Sequence, residues 1–218
     1  MKVAVVTFPG SNCDDDCHHV FGPVLGQETV AVWHKEQTLP SGVDLVVLPG
    51  GFSYGDYLRT GALARFSPIM NDVVAFADNG GRVLGICNGF QILCEAGLLP
   101  GALQRNSNLK FICENVTLSV ASSRSALTSG VSVGDTLTIP IAHHDGNYFV
   151  DADGLQRLKG EDQVLFRYTD NPNGSVDDIA GITNAGRNVF GMMPHPERIA
   201  ETALGGRDGR TLLEGLLL

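Results

Sequence analysis

The sequence predicts an α/β fold, a flavodoxin-like open and mostly parallel sheet with helices on both faces and antiparallel strands added at one edge. Three observations carry this expectation. Short β-branched and leucine-rich runs alternate with helical stretches through the first half of the chain, the pattern of parallel strands joined by crossover helices. Strand candidates in the second half follow one another across Gly, Asn, Asp and Pro turns, which suits antiparallel additions. The 218 residues, 43% hydrophobic with 27 glycines, can bury one full core between many tight loops. No repeat, low-complexity tract or linker divides the chain, so one domain over residues 1–218 is expected.

Residues 3–7 read as the first strand, followed by a glycine turn and a helix from about Cys13. Residues 29–33 and 45–48 read as the second and third strands. Ser67-Pro68 has the form of an N-cap with proline at the first helical position, opening a helix to about Asp78. Asn79-Gly80-Gly81 ends it, and residues 82–86 form the next strand. The helix after Cys87 runs to Ala96, with Gly97 as its stop. Residues 110–120, 136–142, 163–168, 179–183 and 189–192 are the later strand candidates, and residues 208–217 read as a closing amphipathic helix.

Gly85-Ile86-Cys87-Asn88-Gly89 has the form G-x-C-x-G, the thiol counterpart of the nucleophile elbow on a strained strand-to-helix turn. A helix starting just after Cys87 places the positive end of its dipole near the sulfur, which favours a thiolate. Late in the chain, Met193-Pro194-His195-Pro196-Glu197 follows a predicted strand. Its prolines hold His195 in extended backbone, where His195 and Glu197 project from one side. Glu197 can then orient the imidazole toward a thiol, the logic of a nucleophile–base–orienter triad. The third segment, Leu48-Pro49-Gly50-Gly51-Phe52-Ser53-Tyr54-Gly55-Asp56, is a glycine-rich loop at the carboxyl end of a strand, beside the elbow. The Gly51 and Asn88 N–H groups are candidates for an oxyanion hole.

The net charge of −9 argues against nucleic acid or an anionic membrane as the main partner, and no apolar run approaches the roughly 18–20 residues of a membrane span. The opening segment Met1-Lys2-Val3-Ala4-Val5-Val6 reads as a strand and not as a signal peptide. Five irregularly spaced cysteines suit free thiols in a reducing cytoplasm. Cys13 and Cys17, followed by His18 and His19, lack the second distant pair of a zinc site, so no metal is expected there. Cys94 and Cys113 are expected to be packing residues, and Trp33 a core or sheet-edge residue. Asp56 and Arg59 are candidates to face a partner or the substrate. There is no G-x-x-x-x-G-K-[ST] loop for ATP.

The elbow, the Pro-Gly-Gly loop and the His-Pro-Glu segment together resemble the class I, triad-type glutamine amidotransferases. Further segments resemble the family of glutaminase subunits of phosphoribosylformylglycinamidine synthase across essentially the whole chain. These are Phe8-Pro9-Gly10-Ser11-Asn12-Cys13-Asp14, Gly50 through Arg59, Cys87-Asn88-Gly89-Phe90-Gln91-Ile92-Leu93, Asp170-Asn171-Pro172-Asn173-Gly174-Ser175 and Met192 through Arg198. The resemblance implies Cys87 as nucleophile, His195 and Glu197 completing the triad, and Gly51 and Asn88 as backbone oxyanion donors. It implies a glutamine pocket near Gly51, Phe52, Gln91 and His143. Hydrolysis of L-glutamine through a thioester is expected, with ammonia passed to a large ATP-dependent synthetase subunit in de novo purine synthesis. A small accessory subunit is the other expected partner. ATP and Mg are expected on the synthetase, with no cofactor in this chain. One segment departs from the pattern: His143-His144-Asp145-Gly146 stands where the family usually shows His-Gly-Glu-Gly. A glutaminase serving another synthetase is the nearest alternative. A non-catalytic scaffold would require a lost triad member, and all three are present.

Overall fold

The computed structural model describes residues 1–218. Its elements are β1 (Lys2–Thr7), α1 (Asp14–His19), β2 (Glu28–Trp33), β3 (Leu45–Leu48), α2 (Ile69–Asp78), β4 (Arg82–Ile86), α3 (Asn88–Glu95), β5 (Ala102–Gln104) and β6 (Ile112–Val120). There follow β7 (Thr136–His143), β8 (Asn147–Phe149), α4 (Ala152–Gly160), β9 (Val164–Tyr168), β10 (Ile179–Thr183), β11 (Val189–Met192) and α5 (Asp208–Gly215). Nine strands form one sheet in the order β2-β1-β3-β4-β11-β10-β9-β6-β7. The first five are mutually parallel, and β10, β9, β6 and β7 extend the sheet by antiparallel pairing.

The burial of each strand follows from its place. β3 and β11 are buried at every position, as strands covered on both faces must be, which is why they read as unbroken apolar runs. β7 alternates instead, with Leu137, Ile139, Ile141 and His143 turned inward. That phase carries a histidine into the interior at the strand's end. A continuous cluster of 51 buried apolar residues ties these elements together. Trp33, 44% exposed, lies on the edge strand β2.

Several local expectations needed correction. α1 is one short helix that passes into a π-helical turn, Val20–Val24, around Pro23, whose missing N–H disrupts the regular ladder. Pro68 is helical and Ser67 extended, as expected, but the Ser67 hydroxyl caps nothing. It bonds the Tyr54 hydroxyl at 2.9 Å and His34 Nδ1 at 3.3 Å. α4 was not anticipated; Asp151 caps it, Oδ1 accepting from the Gly154 N–H at 2.7 Å. The separate two-stranded β5–β8 sheet was also unforeseen. At the end of α3, Gly97 has φ +75°, the left-handed stop its position implied.

Candidate active site

Between β4 and α3 the chain turns at Cys87, which has φ 50° and ψ −104°, a backbone region that a side chain occupies only under constraint. The constraint is visible in its neighbours. A Cβ on Gly89 would lie 1.9 Å from the Leu48 carbonyl oxygen, and one on Gly85 would lie 2.6 Å from the Gly89 carbonyl. Only glycine lets β3, β4 and α3 approach this closely. The Cys87 N–H donates to Met192 O at 2.8 Å and its carbonyl accepts from the Gln91 N–H at 3.1 Å. The thiol is nearly buried, with Sγ 3.8 Å from Ala142 O.

β11 delivers the second segment beside it. The His195 N–H donates to Pro140 O on β7 at 2.8 Å, two residues from the carbonyl nearest the Cys87 sulfur. Pro196 opens a 3₁₀ turn, Pro196–Ile199, so Glu197 reaches His195 around a turn and not along an extended strand, contrary to the sequence reading. Glu197 Oε1 lies 2.7 Å from His195 Nδ1, and both side chains are buried. Burial alone would lower the His195 pKa. The Glu197 carboxylate, then the Cys87 and Cys13 sulfurs, override it and raise the pKa well above 6.5. Nε2 has no partner in hydrogen-bonding geometry. Loose geometry of this kind between an imidazole and a nearby thiol is often tightened only by substrate.

The glycine loop is fastened to the loop after β1. Ser11 and Gly51 form an isolated antiparallel bridge, and the Phe52 N–H donates to Gly10 O at 2.9 Å. Gly51 has φ 142°, and a Cβ there would lie 2.8 Å from Asn12 N and Ser11 Cα. Neither the Gly51 nor the Asn88 N–H donates to a backbone carbonyl. The Asn88 side chain accepts from the Ser53 N–H at 3.1 Å and donates to Gln91 Oε1 at 2.8 Å, while Gln91 Nε2 donates to Asp145 O at 2.7 Å. That chain of bonds locks the glycine loop, α3 and the 143–146 loop together.

Of the residues expected to line the glutamine pocket, Gln91 therefore has both ends of its amide engaged. His143 is buried, Nδ1 lying 3.1 Å from Asn106 Oδ1 and Nε2 meeting no partner. Burial, then the neighbouring His195, lowers its pKa to about 4. Phe52 stands at the rim of a cavity of about 180 Å³ shared with Gly51, Ala142 and His195. The His144-Asp145 departure leaves the loop in place, because the Gln91 contact uses the Asp145 carbonyl and not its side chain.

Other residues were misjudged from sequence. Cys13, expected only to open a helix, sits before α1 with its sulfur beside the His195 ring. A Cβ on Gly50 would lie 3.0 Å from that sulfur and 2.7 Å from His195 Cε1. Arg198 Nη2 donates to Cys13 Sγ at 3.0 Å. Its position after β1, next to β3 in the sheet, is the signal that places it at the strands' carboxyl ends. Cys113 is exposed at the rim of the same cavity and is not core packing. Arg59, exposed, pairs with Glu95 at 2.6 Å. Asp56 is partly buried, and burial, then Asp145, raises its pKa to about 6.

This sheet with a thiol elbow beside a His–Glu pair defines the glutamine amidotransferase class. The model of the CobB/CobQ-like glutamine amidotransferase domain matches residues 1–205. A phosphoribosylformylglycinamidine synthase subunit PurQ of Cereibacter sphaeroides is 59% identical, covering 100% of this chain and 97% of its own. The PurQ of Roseobacter denitrificans is 57% identical over 99% of this chain and 97% of its own. The solved PurLQS structure from Thermotoga maritima matches with a TM-score of 0.91 and 42% identity, over 99% of this chain and 97% of that one. The chain belongs to the PurQ family of glutamine amidotransferases. No helix is long and apolar enough to cross a membrane.

Proposed function

We propose that this chain is the glutaminase subunit of a phosphoribosylformylglycinamidine synthase, folded as one domain over residues 1–218. The observation that carries the reading is the strained Cys87 elbow beside the buried His195–Glu197 pair. Cys87 attacks the side-chain amide carbon of L-glutamine. Backbone N–H groups of Gly51 and Asn88 take the oxyanion, each donor worth about 3–4 kcal/mol in comparable sites. His195, held charged by Glu197, protonates the departing ammonia and leaves a thioester on Cys87. It then draws a proton from water, which releases glutamate. Phe52, Gln91 and His143 surround the bound glutamine, Gln91 by fixing the loops and His143 as a neutral ring.

Ammonia passes to a large synthetase subunit, which holds ATP and Mg and converts the formylglycinamide ribonucleotide to the amidine. A small accessory subunit completes the complex, in the cytoplasm. The solved PurLQS match and the PurQ names of the relatives support this assembly. The test is Cys87→Ser assayed with the synthetase. Glutamine-dependent product is expected to vanish while added ammonium still supports synthesis. Equal loss with both nitrogen sources, or an undiminished glutamine-dependent rate, refutes the assignment.

A further inference from the structure

Cys13, His195 and Glu197 form a second constellation that shares two members with the thiol site but not Cys87. One ligand atom from each lies within 4.8 Å of the other two, and all three residues are buried. Glu197 Oε1 is engaged by His195 Nδ1 at 2.7 Å, whereas Oε2, in a residue 3% exposed, meets no donor. A buried carboxylate oxygen without a donor is costly, and a bound cation would satisfy it. Thiol, imidazole and carboxylate together are the donor set of zinc; magnesium and calcium favour all-oxygen sites. The cavity that Cys13 and His195 share reaches the exposed Cys113 at its rim, giving a small ion a way in.

We infer that this constellation is an inhibitory site for a thiophilic divalent cation, Zn²⁺ above all. The ion bonds Cys13 Sγ, His195 Nδ1 and a Glu197 oxygen, and a water fills the fourth position. Binding sends two protons to solvent, one from the Cys13 thiol and one from Nδ1 of the imidazolium. Metallated at Nδ1, the ring keeps its remaining proton on Nε2, so it has no lone pair left to accept one from Cys87 or water. Arg198 gives up its 3.0 Å contact with Cys13 Sγ and retains Asp16 at 3.2 Å. Binding is independent of the proposed activity; the loss of glutamine hydrolysis that follows rests on it.

The test uses Zn²⁺ alone, by equilibrium dialysis against the full chain carrying Cys87→Ser, which removes the other thiol able to pair with His195. One ion per chain is expected. Losing an outer-shell partner already costs about 10–100-fold in metal affinity, so Cys13→Ala is expected to weaken binding by at least about tenfold. Co²⁺ in the Cys87→Ser chain is expected to show a thiolate-to-cobalt absorption band, absent from Cys13→Ser, whose fold is checked by circular dichroism. Unchanged Zn²⁺ affinity in Cys13→Ala, loss of the ion in Cys87→Ser, or no cobalt–thiolate band there overturns the site. Full glutamine hydrolysis in a zinc-loaded unsubstituted chain overturns its inhibitory role. A complex with the synthetase that hydrolyses no glutamine even without metal refutes the proposed function and leaves the dialysis result standing.

Discussion

The tightest approach in the site, between the start of α3 and the end of β3, makes Gly89→Ala a quantitative test. The added Cβ would fall 1.9 Å from Leu48 O and 2.7 Å from Leu48 C. Relief requires a separation of about 1 Å, since such contacts do not occur below 3.0 Å. β3 is hydrogen-bonded on both sides, to β1 and β4, so α3 yields and carries Cys87 and the Asn88 N–H with it. Overpacking of this kind costs about 1–3 kcal/mol, or roughly 2–12 °C in Tm for a chain of this size. A 1 Å misplacement of reacting groups costs on the order of 10²-fold in rate. Glutaminase kcat in the complex is therefore expected to fall about 10²-fold while ammonium-supported synthesis is retained. Gly160→Ala is the control: in α4 its Cβ meets nothing within 4 Å, and it should stabilise by about 0.5–1 kcal/mol. Unaltered activity and Tm in Gly89→Ala would refute the packing argument.

Glu197→Gln removes the largest charge that holds His195 protonated, so its pKa, followed by NMR, is expected to fall under the burial that remains. The raised pKa contributes stability that is fully present below about 6.5 and lost as pH rises through the folded value. The Tm gap between Glu197→Gln and the unsubstituted chain should be widest near pH 6 and narrow in alkali; a pH-independent gap contradicts this. Asp56 has the opposite sign: with its pKa raised to about 6, the folded state resists its ionisation, a cost absent at about pH 4 and complete above pH 6. Asp56→Asn should therefore raise stability at pH 7.5 by about 1 kcal/mol, allowing for partial exposure, with no gain at pH 4 by thermal denaturation. Asp151→Ala removes the α4 cap and should cost about 1 kcal/mol by urea denaturation.

The parallel half of the sheet was legible because strands buried on both faces leave continuous apolar runs in the sequence. The elbow was legible for a related reason: where backbones meet below side-chain contact distance, only Gly85 and Gly89 fit. The route from Glu197 to His195 was not. Flanking prolines exclude regular helix but permit either an extended chain or a 3₁₀ turn, and the choice follows from anchoring the His195 N–H on Pro140. Ser67 was misassigned because its hydroxyl found a better partner in Tyr54 and His34 than in its own helix. Cys13 could be placed at the site only by knowing that β1 lies beside β3, a fact of topology and not of local pattern.

That topology explains why five distant segments converge. β1, β3, β4 and β11 are parallel, with β3, β4 and β11 consecutive in the sheet, so the loops bearing Cys13, Gly51, Cys87 and His195 must emerge at one edge. The contribution of β7 needs a further step, because it stands four places beyond β11. At about 4.8 Å per strand, a flat sheet would hold it roughly 19 Å away, yet Pro140 O bonds the His195 N–H at 2.8 Å. The pairing resolves this. β6 meets β9 only through Leu118, Ser119 and Val120, while it pairs with β7 along Ile112–Ser119. The outer part of the β6–β7 hairpin thus projects past the sheet and can fold back over the carboxyl ends of the parallel strands. It carries Ala142 and His143 there, and it joins the antiparallel extension to the chemistry that the parallel half positions.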